Sequence, residues 1–241
     1  MQNVFPGEVF ANTADFDTGI RQLLPRYDEM LEVITRCIPS TSRRILELGC
    51  GTGELSLKIL NLCPDTEVIA LDYSSRMLQF AEDKITAAGY QQRWTGIEAD
   101  FGEWANNPEK FDIGSEFDAC VSSLAIHHLQ DEMKLKLFGQ IAASLIQNGC
   151  FWNADPLLPE SPILLEVYKT AREEWTVQEE INLTEIRAKR GTSSTQGYSS
   201  QDQLATLDAH LQMLTTSGFK TVAVPWKYYG LTVFGGWLQK F

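Results

Sequence analysis

Arg43-Arg44-Ile45-Leu46-Glu47-Leu48-Gly49-Cys50-Gly51-Thr52-Gly53 decides how the rest of the chain is read. Ile45, Leu46 and Leu48 form a short apolar run with turn signals on both sides, which predicts a buried strand. Gly49, Gly51 and Gly53 then supply a tight turn without Cβ atoms, so a ligand can lie against the backbone. A helix opening near Gly53 points free N–H groups into the same space. The stretch is therefore a candidate nucleotide-type loop. Its spacing is G-x-G-x-G, and Glu54 stands where a dinucleotide fingerprint needs Gly or Ala. With Glu47 as a second acid, the loop disfavours a pyrophosphate and welcomes a cationic or amine-bearing ligand, which argues against NAD.

Outward from this loop, strand and helix signals alternate. Strands are expected at 43–48, 67–71, about 92–98, 117–121 and 150–154, and helices at about 53–62, 75–88 and 131–147. Such alternation predicts a doubly wound α/β fold, with a mostly parallel sheet and ligands beyond the carboxyl ends of its strands. Residues 1–20 read as an arm draped on the domain. Residues 21–38 read as one helix, with Pro25 setting its start and Pro39 its end. Beyond residue 156 the rhythm breaks into helical patches at 161–175 and 177–190 and a Gly/Ser/Thr loop at 191–200. This is the pattern of an inserted helical cap, a usual place for substrate specificity. A helix at 201–216 and strands at 219–224 and 228–234 follow, the latter joined through Pro225-Trp226-Lys227 as a hairpin that reverses the last strand. The chain thus reads as one domain over 1–241: arm and helix at 1–40, ligand-binding core at 43–155, cap at 156–200, last helix and hairpin at 201–241.

The strand ends carry the chemistry. Asp72 closes the second strand, 23 residues after Gly49. An acid at that distance suits a ribose hydroxyl pair, because a carboxylate accepts from both at once; it also suits a helix cap. Glu47 either meets an amino group of the ligand or holds the glycine loop through backbone hydrogen bonds. Tyr73 and Met77 either cover a nucleoside or pack in the core. After the fourth strand come His127 and His128, two of the three histidines in the chain. A histidine there suits a general base, since its ordinary pKa is near 6.5; the pair equally suits orienting the loop. No further ligands stand at readable spacing, so no metal centre is expected.

The strings ILELGCGTG, ALDYSSRML, EADF, VSSLAIHHL and GCFWNAD together resemble the class I S-adenosylmethionine-dependent methyltransferases of small-molecule type. The two chain ends are similar to a subgroup of mostly uncharacterised bacterial members. The resemblance implies a Rossmann-like, seven-stranded sheet with an antiparallel last strand. It implies S-adenosylmethionine as cofactor and S-adenosylhomocysteine as product. Carried over by position, the cofactor residues are Glu47, Gly49, Cys50, Gly51, Gly53, Asp72, Tyr73, Met77, Asp100, Phe101 and Ser122, with Asp100 at the adenine amino group. Arg21 or Tyr27 is placed at the methionine carboxylate. His127 is the candidate catalytic base, dispensable if in-line positioning and desolvation suffice.

The acceptor follows by elimination among family types. Ser-Ser-Leu-Ala replaces the Asn/Asp-Pro-Pro-Tyr/Phe of base-amine methylation, and Ser122 and Ser123 do not supply the acids of a catechol-type metal site. The cysteines are not grouped as arsenite chemistry requires. A small apolar or aromatic metabolite remains, methylated at O or N in secondary metabolism, with His128, Trp152, Trp175, Trp226 and Tyr229 as candidate contacts. Two alternatives stay open: an NAD-type oxidoreductase and a non-catalytic partner protein that keeps the cofactor fold.

Charge and composition narrow the partners. A net charge of −12 and the lack of any basic run longer than Arg187-Ala188-Lys189-Arg190 exclude a generic nucleic-acid surface. Five scattered cysteines with no C-x-x-C spacing suit a reduced, cytoplasmic protein. No apolar run approaches the ~20 residues that span a bilayer. The protein is expected to be a monomer or homodimer.

Overall fold

The structure, a computed structural model, describes residues 3–239. β1 (Asn3–Val4) opens an N-terminal arm that leads to α1 (Phe16–Leu23) and α2 (Tyr27–Cys37). Alternating units follow: β2 (Arg44–Leu48), α3 (Glu54–Leu62), β3 (Glu67–Asp72), α4 (Ser75–Ala87), β4 (Trp94–Glu98), α5 (Phe101–Asn106), β5 (Phe117–Ser123), α6 (Asp131–Ser144) and β6 (Leu145–Pro156). Then come α7 (Pro162–Gln178), α8 (Leu183–Ala188), β7 (Thr192–Ser193), α9 (Leu207–Thr216), β8 (Thr221–Tyr228) and β9 (Leu231–Trp237).

The main sheet has seven strands in the order β4-β3-β2-β5-β6-β9-β8. The first five run parallel, and β9 is antiparallel to both of its neighbours. The last strand is thus reversed, as expected, and sits between β6 and β8. Parallel strands bury both faces. On one face Ile45, Val68, Ala119 and Trp152 pack under α2, α3 and α4; on the other Leu46, Leu71, Cys120 and Phe151 pack under α6 and α9. The strand order reverses between β2 and β5, so the crevice at their carboxyl ends is where a ligand belongs. The register sets Leu48 level with both Leu71 and Ser122, bringing three strand ends to one height.

Four local expectations are corrected. The helix read over 21–38 is two helices, because Pro25 keeps Leu24 extended (φ −123°, ψ 115°) and Arg26 turns left-handed (φ 57°). Leu23 and Tyr27 are both buried across the break, which is why the periodicity reads through it. The hairpin turns at Tyr229-Gly230, not at Pro225; Pro225 lies within edge strand β8, at a register shift, where its missing N–H costs no ladder bond. The helix expected from 131 to 147 stops at Ser144, because Leu145 pairs with Phe117. The helix expected from 201 begins at Leu207, capped by Thr206.

The arm is tied to the segment after β6. β1 pairs with β7 through Asn3↔Thr192 and Val4↔Ser193, and Phe10 bridges to Arg190. No helix of the described residues is long and apolar enough to cross a membrane.

Candidate functional site

Gly49, Cys50 and Gly51 shape the floor of the crevice. The N–H groups of Gly49 and Cys50 both donate to the Leu71 carbonyl, at 2.7 and 3.0 Å, which folds the loop over the end of β3. Gly49 sits at φ 68°, and a Cβ there would collide with that of Ala125. Gly51 sits at φ 53°, and a Cβ there would meet nothing within 4 Å, so its bare backbone faces open space. The Gly51 N–H donates to Asp72 Oδ2 at 2.8 Å, and the Ser74 N–H donates to Asp72 Oδ1 at 2.9 Å. Asp72 therefore stitches the glycine loop to the start of α4, with one acceptor site left on each oxygen. Burial pushes its carboxyl up to about 6 despite those two donors.

Glu47 lies beneath the loop at 1% exposure. Its carboxylate accepts from the Ser56 hydroxyl, which in turn accepts from Trp94 Nε1 at 2.8 Å. Burial, with Asp72 adding like charge, pushes it up to about 8. The backbone contacts of the glycine loop run to Leu71 and Asp72 instead. Of the two roles considered, the loop-bracing one has no such bond behind it.

These groups line one cleft that opens to solvent, with about 650 Å³ of empty space that includes part of that solvent. Gly49, Cys50, Gly51, Asp72, Glu47, Tyr73, Met77, Phe101, Tyr27 and His128 all face it. Gly53 stands just outside as the left-handed N-cap of α3. Four carboxylates line the cleft, from Glu8, Glu47, Glu54 and Asp72, and no Lys or Arg is among the lining residues. Glu54 is held ionised, since Lys84 and Arg21 outweigh the burial that works against its charge.

The arm supplies residues that sequence reasoning missed. Pro6, Gly7 and Glu8 cover one side of the cleft. Tyr73 donates its hydroxyl to the Pro6 carbonyl, and the Phe5 ring packs on Tyr73 with centroids 5.7 Å apart. Glu8 latches the arm to α4 through Ser74 Oγ and Arg76 Nε, each at 2.6 Å. Burial opposes its charge, yet Arg76, Ser74 and the Phe5 N–H hold it below the ordinary carboxylate range. No motif announces this contact; only the extra buried acid near the N-terminus hints at it.

Other expected residues are elsewhere. Asp100 caps α5 through the N–H groups of Gly102 and Glu103 and accepts from the Tyr198 N–H at 3.1 Å, so its carboxylate is engaged outside the lining set. Ser122 points to the core and donates to the Leu48 carbonyl at 2.8 Å, while its neighbour Ser123 faces the cleft, as strand alternation requires. Arg21 is not a lining residue; it grips Asp28 with two 2.9 Å hydrogen bonds and pairs with Glu54, which does line the cleft. The aromatic contacts proposed for the acceptor are corrected. Trp152 is core at 1% exposure, edge-on to Trp237. Trp226 bonds Glu29 on the outer sheet edge, Tyr229 is exposed at the hairpin turn, and Trp175 rides on α7. None of the four lines the cleft.

The two histidines divide. His128 faces the cleft, and Phe16, Leu124 and Ala125 belong to the same lining. Burial, and then the neighbouring His127, push it down to about 4. His127 stands behind it, its Nδ1 2.7 Å from Asp155 Oδ1. Asp155 is fully buried, and its other oxygen accepts from Asn153 Nδ2 at 2.8 Å. His127, the expected base, is therefore outside the lining of the cleft.

The arrangement fits an adenosyl sulfonium carrying an amino acid. Bare glycine backbone accepts close approach, Asp72 offers two acceptor sites to a diol, and Tyr73, Met77 and Phe101 offer apolar surface for a base. Glu8 and Glu54 are neutralised by Arg76 and by Arg21 and Lys84, which leaves Glu47 and Asp72 as the lining acids without a cationic partner, suited to positive charge and opposed to phosphate.

Comparison with known proteins agrees. Residues 45–149 match the family model described as a methyltransferase domain. An uncharacterised methyltransferase of Bacillus subtilis, YrrT, is 27% identical over 84% of this chain and 80% of its own. A carboxy-S-adenosyl-L-methionine synthase of Campylobacter lari is 24% identical over 94% of this chain and 92% of its own. An O-methyltransferase family protein from Burkholderia thailandensis superposes with a TM-score of 0.65 at 14% identity, over 91% of this chain. The CurJ carbon methyltransferase does so at 0.67 and 14%, over 98%. The chain spans only 58% and 62% of those two solved chains, and 66% of an uncharacterised methyltransferase of Bacillus cytotoxicus. Residues 45–149 thus match a methyltransferase-domain model, and the glycine loop, the cleft at the switch point and the reversed last strand give the chain the fold of the methyltransferases it superposes on.

Proposed function

We propose that this protein transfers the methyl group of S-adenosylmethionine to an oxygen or nitrogen of a small, apolar or aromatic metabolite. The observation that carries the reading is the cleft itself: Glu47 and Asp72 line it without a cationic partner, and Phe16, Tyr27 and Leu124 add apolar surface to the same lining as His128. The two acids suit the cofactor's positive charge, and the apolar surface suits an uncharged acceptor. Chemistry then rests on in-line placement and exclusion of water. The arm latched by Glu8 and Arg76 supplies much of that exclusion. Of the two histidines, only His128 lines the cleft, which supports a contact between it and the acceptor.

A second reading comes from the Campylobacter relative, which the chain covers almost end to end and whose name describes carboxylation of the cofactor itself. One experiment separates the two. The protein is incubated with methyl-labelled S-adenosylmethionine and a panel of small phenols, amines and keto acids, and the products are read by mass spectrometry. Label on an acceptor, with S-adenosylhomocysteine formed in step, supports methyl transfer. A cofactor heavier by a carboxyl group, with no labelled acceptor, replaces it with the second reading.

A further inference from the structure

We propose that His127, His128 and Asp202 form a transition-metal site at the rim of the cleft, suited to a divalent ion of the zinc class. Ligand atoms from the three side chains lie within 4.8 Å of one another. His127 Nε2 is 3.8 Å and His128 Nδ1 is 3.7 Å from the same Asp202 Oδ1. Tetrahedral zinc, with bonds of roughly 2.0–2.2 Å, needs donors about 3.3 Å apart, so Asp202 closes on each imidazole by about half an ångström and the two imidazole nitrogens, within 4.8 Å of each other, turn together onto the ion.

Two further observations point to an ion. First, His127 is already oriented as a ligand. The carboxylate of Asp155 accepts from Nδ1–H, which leaves the lone pair on Nε2 facing Asp202. A carboxylate behind a histidine is the usual outer partner of a metal-bound imidazole. Second, His128 is 9% exposed, and its Nδ1 is buried without a hydrogen-bond partner. That unpaired nitrogen is the atom aimed at Asp202.

The backbone holds the third ligand in place. The Ser200 N–H donates to the His128 carbonyl at 3.1 Å, and the Gln203 N–H donates to the His127 carbonyl at 2.7 Å. Asp202 sits between these two anchors with its side chain 65% exposed, free to swing inward. Two imidazoles and one carboxylate are a borderline donor set with room for a fourth ligand. Bound there, the ion fastens the segment that precedes α9 to the loop after β5. It also fixes the proton of His128 on Nε2, the nitrogen 3.7 Å from where a Gly7 Cβ would stand. A donor then faces the cleft.

The test uses the full chain, stripped with chelator. Zinc is titrated in by calorimetry, and cobalt by its visible absorption. The expected result is one ion per chain with an imidazole-ligated cobalt spectrum, and at least tenfold weaker binding in Asp202→Asn and in His128→Gln. Asp202 is exposed, so its variant keeps the fold, which circular dichroism verifies. No stoichiometric binding by the unmodified chain overturns the proposal. So does equal affinity in the unmodified chain and Asp202→Asn, which would place the ion away from Asp202.

Discussion

Replacing Glu47 with glutamine should stabilise the protein at high pH while weakening its hold on the cofactor. Glu47 is 1% exposed and pushed from 4.5 up to about 8, chiefly by burial. A carboxyl whose folded pKa is raised contributes full stability below its unfolded pKa, and that contribution is lost as pH climbs through the folded value. The window here is pH 4.5 to 8. At ~1.4 kcal/mol per pH unit, the loss approaches about 5 kcal/mol, an upper bound. Asp72, raised to about 6, adds a loss of the same sign over a lower window. Glutamine keeps the volume and an acceptor for Ser56 but has no charge to bury. Urea unfolding at pH 5, 6.5 and 8, followed by tryptophan fluorescence, should show near-equal stability at pH 5 and an advantage of several kcal/mol for Glu47→Gln at pH 8. The same variant should bind S-adenosylhomocysteine at least tenfold more weakly, because an ammonium group beside Glu47 would favour its ionised form, which glutamine lacks. A stability difference that does not change with pH refutes the reasoning about burial. Unchanged binding refutes the assignment of Glu47 to the cofactor.

Gly49→Ala forces a side chain into Ala125 at φ 68°, and should cost ~1–3 kcal/mol and abolish measurable cofactor binding in a thermal-shift assay. Asp100→Ala removes the cap of α5 and the anchor of Tyr198 together; a loss of ~1–2 kcal/mol is expected from chemical denaturation. His210 is fully buried, packs on Phe234 with centroids 4.5 Å apart, and has both ring nitrogens unpaired. Burial lowers it to about 4, with Asp155 and Asp131 acting to raise it and Lys134 and His127 to lower it. The unfolded chain binds its proton first, so this residue should cost the fold about 3 kcal/mol as pH falls from 6.5 to 4. His210→Phe should flatten that part of the acid limb, read as the change in melting temperature between pH 7 and pH 4.5. An unchanged limb would show that His210 finds a polar partner.

The parts of the site that were legible in the sequence are those that depend on backbone. The glycine loop, the strand ends at Asp72 and Phe101, and the reversed last strand follow from local turn chemistry and alternating periodicity. What failed depends on which way a side chain points or on contacts across distant segments. Ser122 and Ser123 are adjacent, yet only strand alternation sends the second into the cleft. The aromatic side chains of Trp152, Trp226 and Tyr229 read alike in the sequence, but strand pairing puts the first in the core, the second on the outer sheet edge and the third at the exposed hairpin turn. Glu8 and Asp202 lie some 66 and 74 residues from the groups they meet, so no spacing rule reaches them. Pro25 was read as a helix start, although the restriction it places on Leu24 is the stronger local signal.

Calorimetric titration of the full chain with S-adenosylhomocysteine, set beside NADH, tests the central claim most directly. The acid-lined cleft predicts one homocysteine compound bound per chain, affinity at least tenfold weaker in Asp72→Ala, and no heat with NADH. Saturable binding of NADH with no response to S-adenosylhomocysteine would contradict the assignment of this cleft to the sulfonium cofactor.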